Sequence, residues 1–229
     1  MLLRFKRTLT AAALVASFSA AGAMGAVGTA AQAHTLGVRD VASWAASATT
    51  SVTSPRFHLV QQEQGQQYQS ADCGPAAILM ALLDNGGRLP KSYNRDSQAA
   101  AMTELRGEVP NPEKSKNHYL FVGDISTILR EHGVQGTVYS KEKTVEIVDL
   151  IKQGRKAVVL IQSGQIPNAK GGPGGGHFVY VSGYDARTKI FAVNDPAKLD
   201  DEAYHASEKD LLRLITNPAP GNDQWAFVI

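Results

Sequence analysis

The chain contains one cysteine, Cys73, placed in Asp72-Cys73-Gly74-Pro75 where a loop gives way to an apolar, helix-forming run. The unpaired N–H groups and positive dipole end of such a helix favour a thiolate, the nucleophilic form of the side chain. Gly74 has no side chain to keep a substrate backbone away from that sulfur. Cysteine is also a common core residue, so the residue type alone leaves a structural filler and a nucleophile both open. His177 opens an apolar run directly after the glycine-rich KGGPGGG, Lys170 to Gly176. A lone histidine in that place can equally be a hydrogen-bonded strand residue. Asp195 lies in Val193-Asn194-Asp195-Pro196, at the end of the following run, where Asn-Asp-Pro also makes a common turn.

Spacing ties the last two together. DART, Asp185 to Thr188, reads as a turn between the two runs. With Asp185 to Arg187 as the loop and Tyr184 opposite Thr188, His177 falls directly opposite Asp195. Opposed residues share a face of the sheet with Cβ atoms ~5 Å apart, and Asn194 then points the other way. A carboxylate so placed can hold an imidazole in one tautomer and support its role as a general base. The glycine run is no phosphate cradle, which needs a strand before it and a helix after it. Here a strand follows, and the loop instead leaves bare backbone around a cleft. His34, His58, His118, His132 and His205 read as surface or packing residues.

The elements that must position these residues are legible in outline. Arg56 to Val60 reads as a short strand. CGPAAILMALLDN reads as a helix with Pro75 in its first turn and Gly86–Gly87 as its stop, apolar all round from Ala76 to Leu83 and therefore buried. Further helices are expected over Ser97 to Arg106 (closed by Gly107), Asp124 to His132 (closed by Gly133) and Lys143 to Gln153 (closed by Gly154). The period then changes: Ala157 to Gln162, His177 to Tyr184 and Lys189 to Asn194 are rich in β-branched and aromatic residues. Ser207-x-x-Asp210 resembles a capping box before a short helix, and WAFVI suits a last strand. Helices first and strands later point to an α+β domain with a mainly antiparallel sheet.

Composition bounds the partners. The chain has 229 residues, 43% of them hydrophobic and 19% charged, as suits a globular protein. Residues 1–33 read as a signal peptide: Arg4, Lys6 and Arg7 precede an uncharged stretch that ends in Ala31-Gln32-Ala33, with His34 as the expected mature N-terminus. Of 23 basic residues those three leave 20 against 21 acidic, so the remainder carries a net charge of −1. That argues against a nucleic-acid or anionic-membrane binder, which would need a basic face. No other segment approaches the ~18 apolar residues of a membrane span, so no stable membrane association is expected once the signal is cleaved. One cysteine also excludes a disulfide framework within the chain and a multi-cysteine zinc site. Residues 34–55, rich in Ser, Thr and Ala, read as a linker, with Trp44 as one anchoring contact.

Three stretches together resemble the papain-like cysteine peptidases: QYQSADCGPAAILMAL (Gln67 to Leu82), GGHFVYVSGYD (Gly175 to Asp185) and VNDP. The nearest likeness is to the bacteriocin leader-processing (double-glycine) branch in a stand-alone, exported form, over residues 56–229. The resemblance implies a papain-like α+β fold, with a helical N-terminal part that buries the nucleophile helix and a mainly antiparallel C-terminal sheet. It implies Cys73 as nucleophile, His177 as general base and Asp195 as the residue that orients it. Gln67, six residues before the cysteine, would supply an oxyanion donor, with Gln69 as a rival. It implies no metal or organic cofactor, and a peptide or protein as substrate. The leader-processing enzymes are usually fused to a transporter, and this sequence shows no spanning bundle or nucleotide-binding motif. A leader peptide therefore does not follow as the substrate. An acyltransferase of transglutaminase type, a peptidoglycan amide hydrolase (which resembles DCSG more than DCGP) and an inactive binding module remain as alternatives on the same fold.

Overall fold

A run that is apolar on every side has no face to give to water and needs neighbours all round. Cys73–Asn85 meets that condition as helix α1, buried from Cys73 to Asp84. Gly86 ends it at φ 71°, a left-handed cap that suits glycine. The computed structural model describes residues 53–109, 119–171, 175–216 and 224–229. The signal-like segment, the linker as far as residue 52 with Trp44, and residues 110–118 lie outside the described residues.

Helices α2 (Ala99–Gly107) and α3 (Val122–Glu131) pack on α1. Two further helices are α4 (Thr144–Lys152) and α5 (Glu208–Thr216). The strands are β1 (Thr137–Ser140), β2 (Ala157–Gln162), β3 (Gly176–Asp185), β4 (Ile190–Asn194), β5 (Tyr204–Ala206) and β6 (Gln224–Val228). They form one six-stranded sheet in the order β1-β6-β2-β3-β4-β5. All neighbouring pairs are antiparallel. Side chains alternate across it. Val158, Leu160, Phe178, Tyr180 and Phe227 join the core of α1, α2 and α3. Val159, Ile161, Val179 and Val181 join that of α4 and α5. The α+β architecture with a buried first helix is therefore the one expected.

The far end of α1 is anchored by charge. Asp84 accepts hydrogen bonds from the Tyr180 hydroxyl at 2.8 Å and the Ser54 N–H at 2.7 Å. Lys156 lies 2.7 Å from the same carboxylate. These contacts fix the helix that carries Cys73 to β3, the strand that carries His177.

Several boundaries differ from expectation. Arg56 to Val60 is not a strand: Val60 is buried and Phe57 and Leu59 pack on the α1 cluster, yet the segment joins no ladder. Its alternation reports burial against a helix, and the Phe57 N–H turns back to Ser54 O at 2.8 Å. Gly107 lies inside α2 instead of closing it. The unexpected β1 and β5, of four and three residues, are sheet edges too short to show a period, and β1 breaks the helices-then-strands order. Ser207 caps α5 by accepting the Asp210 N–H at 3.2 Å, while its hydroxyl donates to the Asp210 carboxylate at 2.7 Å.

The β3–β4 register also needs correction. Asp185 pairs with Ile190 around a loop of residues 186–189, and Lys189 takes φ 58°. Tyr184 is therefore opposite Phe191, not Thr188. A bulge between Val181 and Gly183 then shifts the pairing by one, so that Val181 faces Val193 and Tyr180 faces Asn194.

Candidate active site

Cys73 is the first residue of α1, and the segment before it is clamped. The Asp72 carboxylate accepts from Arg106 Nε at 2.9 Å, from Arg106 Nη2, and from Gln66 Nε2 at 2.7 Å. Arg106 Nη2 also donates to Ala71 O at 3.0 Å, and the guanidinium lies 5.4 Å from the Tyr68 ring centroid. The pair is buried, with side-chain exposures of 10% and 1%. Charge-assisted, forked contacts of this kind are geometrically strict, so α2 dictates where the backbone enters the nucleophile helix.

His177 is the second residue of β3, and its ring faces Asp195. Its Nε2 lies 2.6 Å from Asp195 Oδ1, which also accepts the Ala197 N–H at 2.8 Å. That contact leaves Nδ1 as the ring nitrogen available to the Cys73 thiol. Burial alone would push the Cys73 thiol up. The His177 hydrogen bond and charge, aided by the N–H groups of Phe178 and Gly74, bring it below its ordinary value instead. Burial would likewise lower His177, but hydrogen bonds to Asp195 and Cys73 and their negative charge push it up to about 10. Opposite shifts on these two coupled groups favour the thiolate–imidazolium form, the reactive form of a cysteine nucleophile.

The other candidates are placed less uniformly. Asn194 gives its amide to Tyr180 O and to the Ser182 hydroxyl, both at 3.0 Å, and so supports the β3 bulge. Gln67 is exposed, on the turn before a short 3-10 helix, Gln69–Ala71. The Gln69 side chain accepts the Gly65 N–H at 2.8 Å. The buried glutamine of this segment is Gln62. Its N–H donates to Pro196 O at 2.9 Å, next to Asp195, and its Nε2 donates to Gln69 O at 3.2 Å. Gln66 Nε2 joins Gln62 O, at 2.6 Å, to Asp72. Residues 172–174 of the glycine run, His34 and His118 lie outside the described residues. His132 is a packing residue held by Arg88 O and, at 2.8 Å, by Glu108. Arg106 and Gln62 escape sequence reasoning, because each meets its partner only through tertiary packing. Among the described residues no group of three or more His, Cys, Asp or Glu could hold a metal ion, and no helix is long and apolar enough to cross a membrane.

A family model, that of the Peptidase_C39 like family, matches residues 56–213. The chain belongs to that family. It is a C39-like, cysteine-type peptidase of papain-like fold. The match spans the Cys73, His177 and Asp195 positions and all three helices of the α1 layer. No curated protein matches the chain. Among solved structures, this C39-like chain is similar to one described as a C39-like peptidase from Bacillus anthracis, at TM-score 0.50 and 14% identity, covering 78% of this chain and 97% of that one. A weaker likeness, at TM-score 0.37 and 12% identity, is to the Pseudomonas avirulence protein AvrPphB, covering 69% of this chain and 91% of that one.

Proposed function

We propose that this peptidase is exported and cleaves peptide or amide bonds with Cys73, His177 and Asp195 as its catalytic triad. The observation that carries the reading is the contact of His177 with Asp195 at 2.6 Å, made by an imidazole that is electrostatically coupled to the Cys73 thiol. Cys73 Sγ attacks the carbonyl carbon of the scissile bond. As the tetrahedral intermediate collapses to a thioester, His177 gives its proton to the leaving amine. It then takes a proton from water, which attacks the thioester and releases the acid and the thiolate.

The oxyanion is served by the Cys73 backbone N–H, which lies in the first turn of α1 without an intrahelical partner. For the second donor, Gln62 is favoured over the expected Gln67. Oxyanion donors act by being held in place beforehand. Gln67 is exposed, whereas Gln62 is buried beside Pro196 and uses one of its two amide protons on Gln69 O. The signal-like residues 1–33 support export with His34 as the mature N-terminus. The substrate is a peptide or protein, and the near-neutral remainder supports neither nucleic-acid nor stable membrane binding. Hydrolysis of a peptide library by the purified protein, compared with Cys73→Ala, tests the reading. Loss of cleavage with an intact fold supports it, and full activity in the variant overturns it. Intact mass of exported material tests the export.

A further inference from the structure

The segment Gln61 to Gln69, QQEQGQQYQ, contains six glutamines within nine residues. A glutamine amide carries two donor protons and an acceptor oxygen, so a run of them can tie a loop together without charge. Gly65 turns this loop at φ 88°, a left-handed conformation that suits glycine, and Gln66 then reaches back to Gln62. Gln66 uses its whole amide. Its Oε1 accepts the Gln64 N–H at 3.0 Å, and its Nε2 donates to Gln62 O at 2.6 Å and to Asp72 Oδ2 at 2.7 Å. A single nitrogen thus joins the main chain of the favoured oxyanion donor to the residue directly before Cys73.

The main chain of Gln62 is held from both sides of the triad. Its N–H donates to Pro196 O at 2.9 Å, directly after Asp195, and its carbonyl reaches Asp72 through Gln66. Its side chain is less well fixed. Nε2 has Gln69 O at 3.2 Å, while the buried Oε1 finds no partner among the described residues. An unpaired buried acceptor is unfavourable, so the backbone, more than the amide's own contacts, keeps this side chain in place. Asp72 depends on Gln66 far less, because two nitrogens of Arg106 already hold its carboxylate. The group that gains from the Gln66 bridge is therefore Gln62.

We infer that Gln66 is a positioning residue for catalysis: it holds the Gln62 amide in place against the first turn of α1 and so builds the oxyanion hole. This rests on Gln62 being the side-chain donor. Oxyanion donors act by being fixed in advance, and a small displacement weakens them without weakening substrate binding.

Gln66→Met tests the inference, since it keeps the length of the side chain and removes both donor protons. Its kcat should fall about tenfold or more with KM within about twofold of wild type. Alkylation of Cys73 by iodoacetamide, which forms no oxyanion, should stay near the wild-type rate and reports an intact centre. The two glutamines should not add: in Gln62→Ala, introducing Gln66→Met should leave kcat nearly unchanged, because no donor remains to be positioned. Gln64→Ala controls for loosening of the loop. It removes the contact of Gln64 Nε2 with Gln98 Oε1 at 2.8 Å, and should lower the melting temperature while kcat holds. Normal kcat in Gln66→Met overturns the inference. So does an equal loss of kcat in Gln64→Ala, or a loss that persists in full when Gln62 is already alanine, or one matched by slower alkylation, since Gln66 would then act through the loop or through Cys73. Failure of the donor reading is separate, and shows as normal kcat in Gln62→Ala alone.

Discussion

His177 Nε2 and Asp195 Oδ1 lie 2.6 Å apart although the two residues are not partners in any ladder. β4 ends at Asn194, and His177 pairs on its other side with Ile161 of β2. Asp195 is 1% exposed, and its position is set by the chain turn that follows the strand, where the Ala197 N–H caps the same oxygen. The carboxylate is thus oriented by its own loop before it meets the imidazole, and it needs no cross-strand neighbour.

Replacing Asp195 with Ala should cut kcat/KM at least tenfold and slow alkylation of Cys73. The imidazolium that pairs with the thiolate loses the carboxylate that supports it. Circular dichroism on the same sample would show the fold retained. Unchanged alkylation and turnover would remove Asp195 from the mechanism.

That the sequence reading put Asp195 on the side of His177 owes something to offsetting shifts. The turn is longer than the three-residue loop read from DART, which by itself would have placed Asn194 on the histidine's side. The bulge between Val181 and Gly183 moves the register once more and restores the parity. Counted from Tyr180–Asn194, His177 and Asp195 lie on one side of the sheet but are no longer directly opposed. The long periodic elements, α1 and β2 above all, were legible because their burial is nearly complete and their lengths exceed one period. Gln62 and Arg106 were not, since a polar side chain carries no period and its role depends on which distant backbone it meets.

Asn194→Ala separates structure from catalysis. Its two hydrogen bonds to Tyr180 O and Ser182 stabilise the bulge, and their loss should cost about 1–3 kcal/mol of stability. Thermal melting should fall while the folded enzyme keeps its kcat/KM. A loss of turnover without loss of stability would move the orienting role from Asp195 to Asn194.

Arg106→Met breaks the buried pair that fixes the entry to α1, leaving the Asp72 charge with only Gln66. Removing one partner of such a pair costs about 3–5 kcal/mol. Chemical denaturation should show the loss, and Arg106→Met/Asp72→Asn should recover part of it. Equal stability in Arg106→Met would mean that Asp72 is held without its salt bridge.

The dependence of kcat/KM on pH should be bell-shaped. Activity requires the thiolate–imidazolium pair, which titrates as a unit. It should rise as pH passes the lowered Cys73 value and fall as His177 loses its proton near pH 10. The Asp195 carboxylate raises His177, so Asp195→Asn should move the alkaline limb to lower pH. A limb already near the ordinary histidine value in the wild type would mean that Asp195 and the thiolate do not hold the His177 proton.

Gln62→Ala and Gln67→Ala decide the side-chain oxyanion donor. A donor that acts on charge present only in the transition state lowers kcat with little effect on KM, by roughly 10²–10³ for one group. That loss is expected of Gln62, whose amide is buried and already joined to Gln69 O at 3.2 Å, and not of Gln67, which is exposed. Gln62 also helps to hold its own segment, so stability must be measured in parallel. A fall in melting temperature with normal kcat would reduce it to packing. Gln62→Glu gives a second reading. The carboxylate fills nearly the same volume but, when ionised, has no proton to donate, so it should damage kcat as severely as alanine while alkylation of Cys73, which forms no oxyanion, is affected far less. A kcat loss confined to Gln67→Ala would restore the six-residue spacing before the cysteine as the position of the donor.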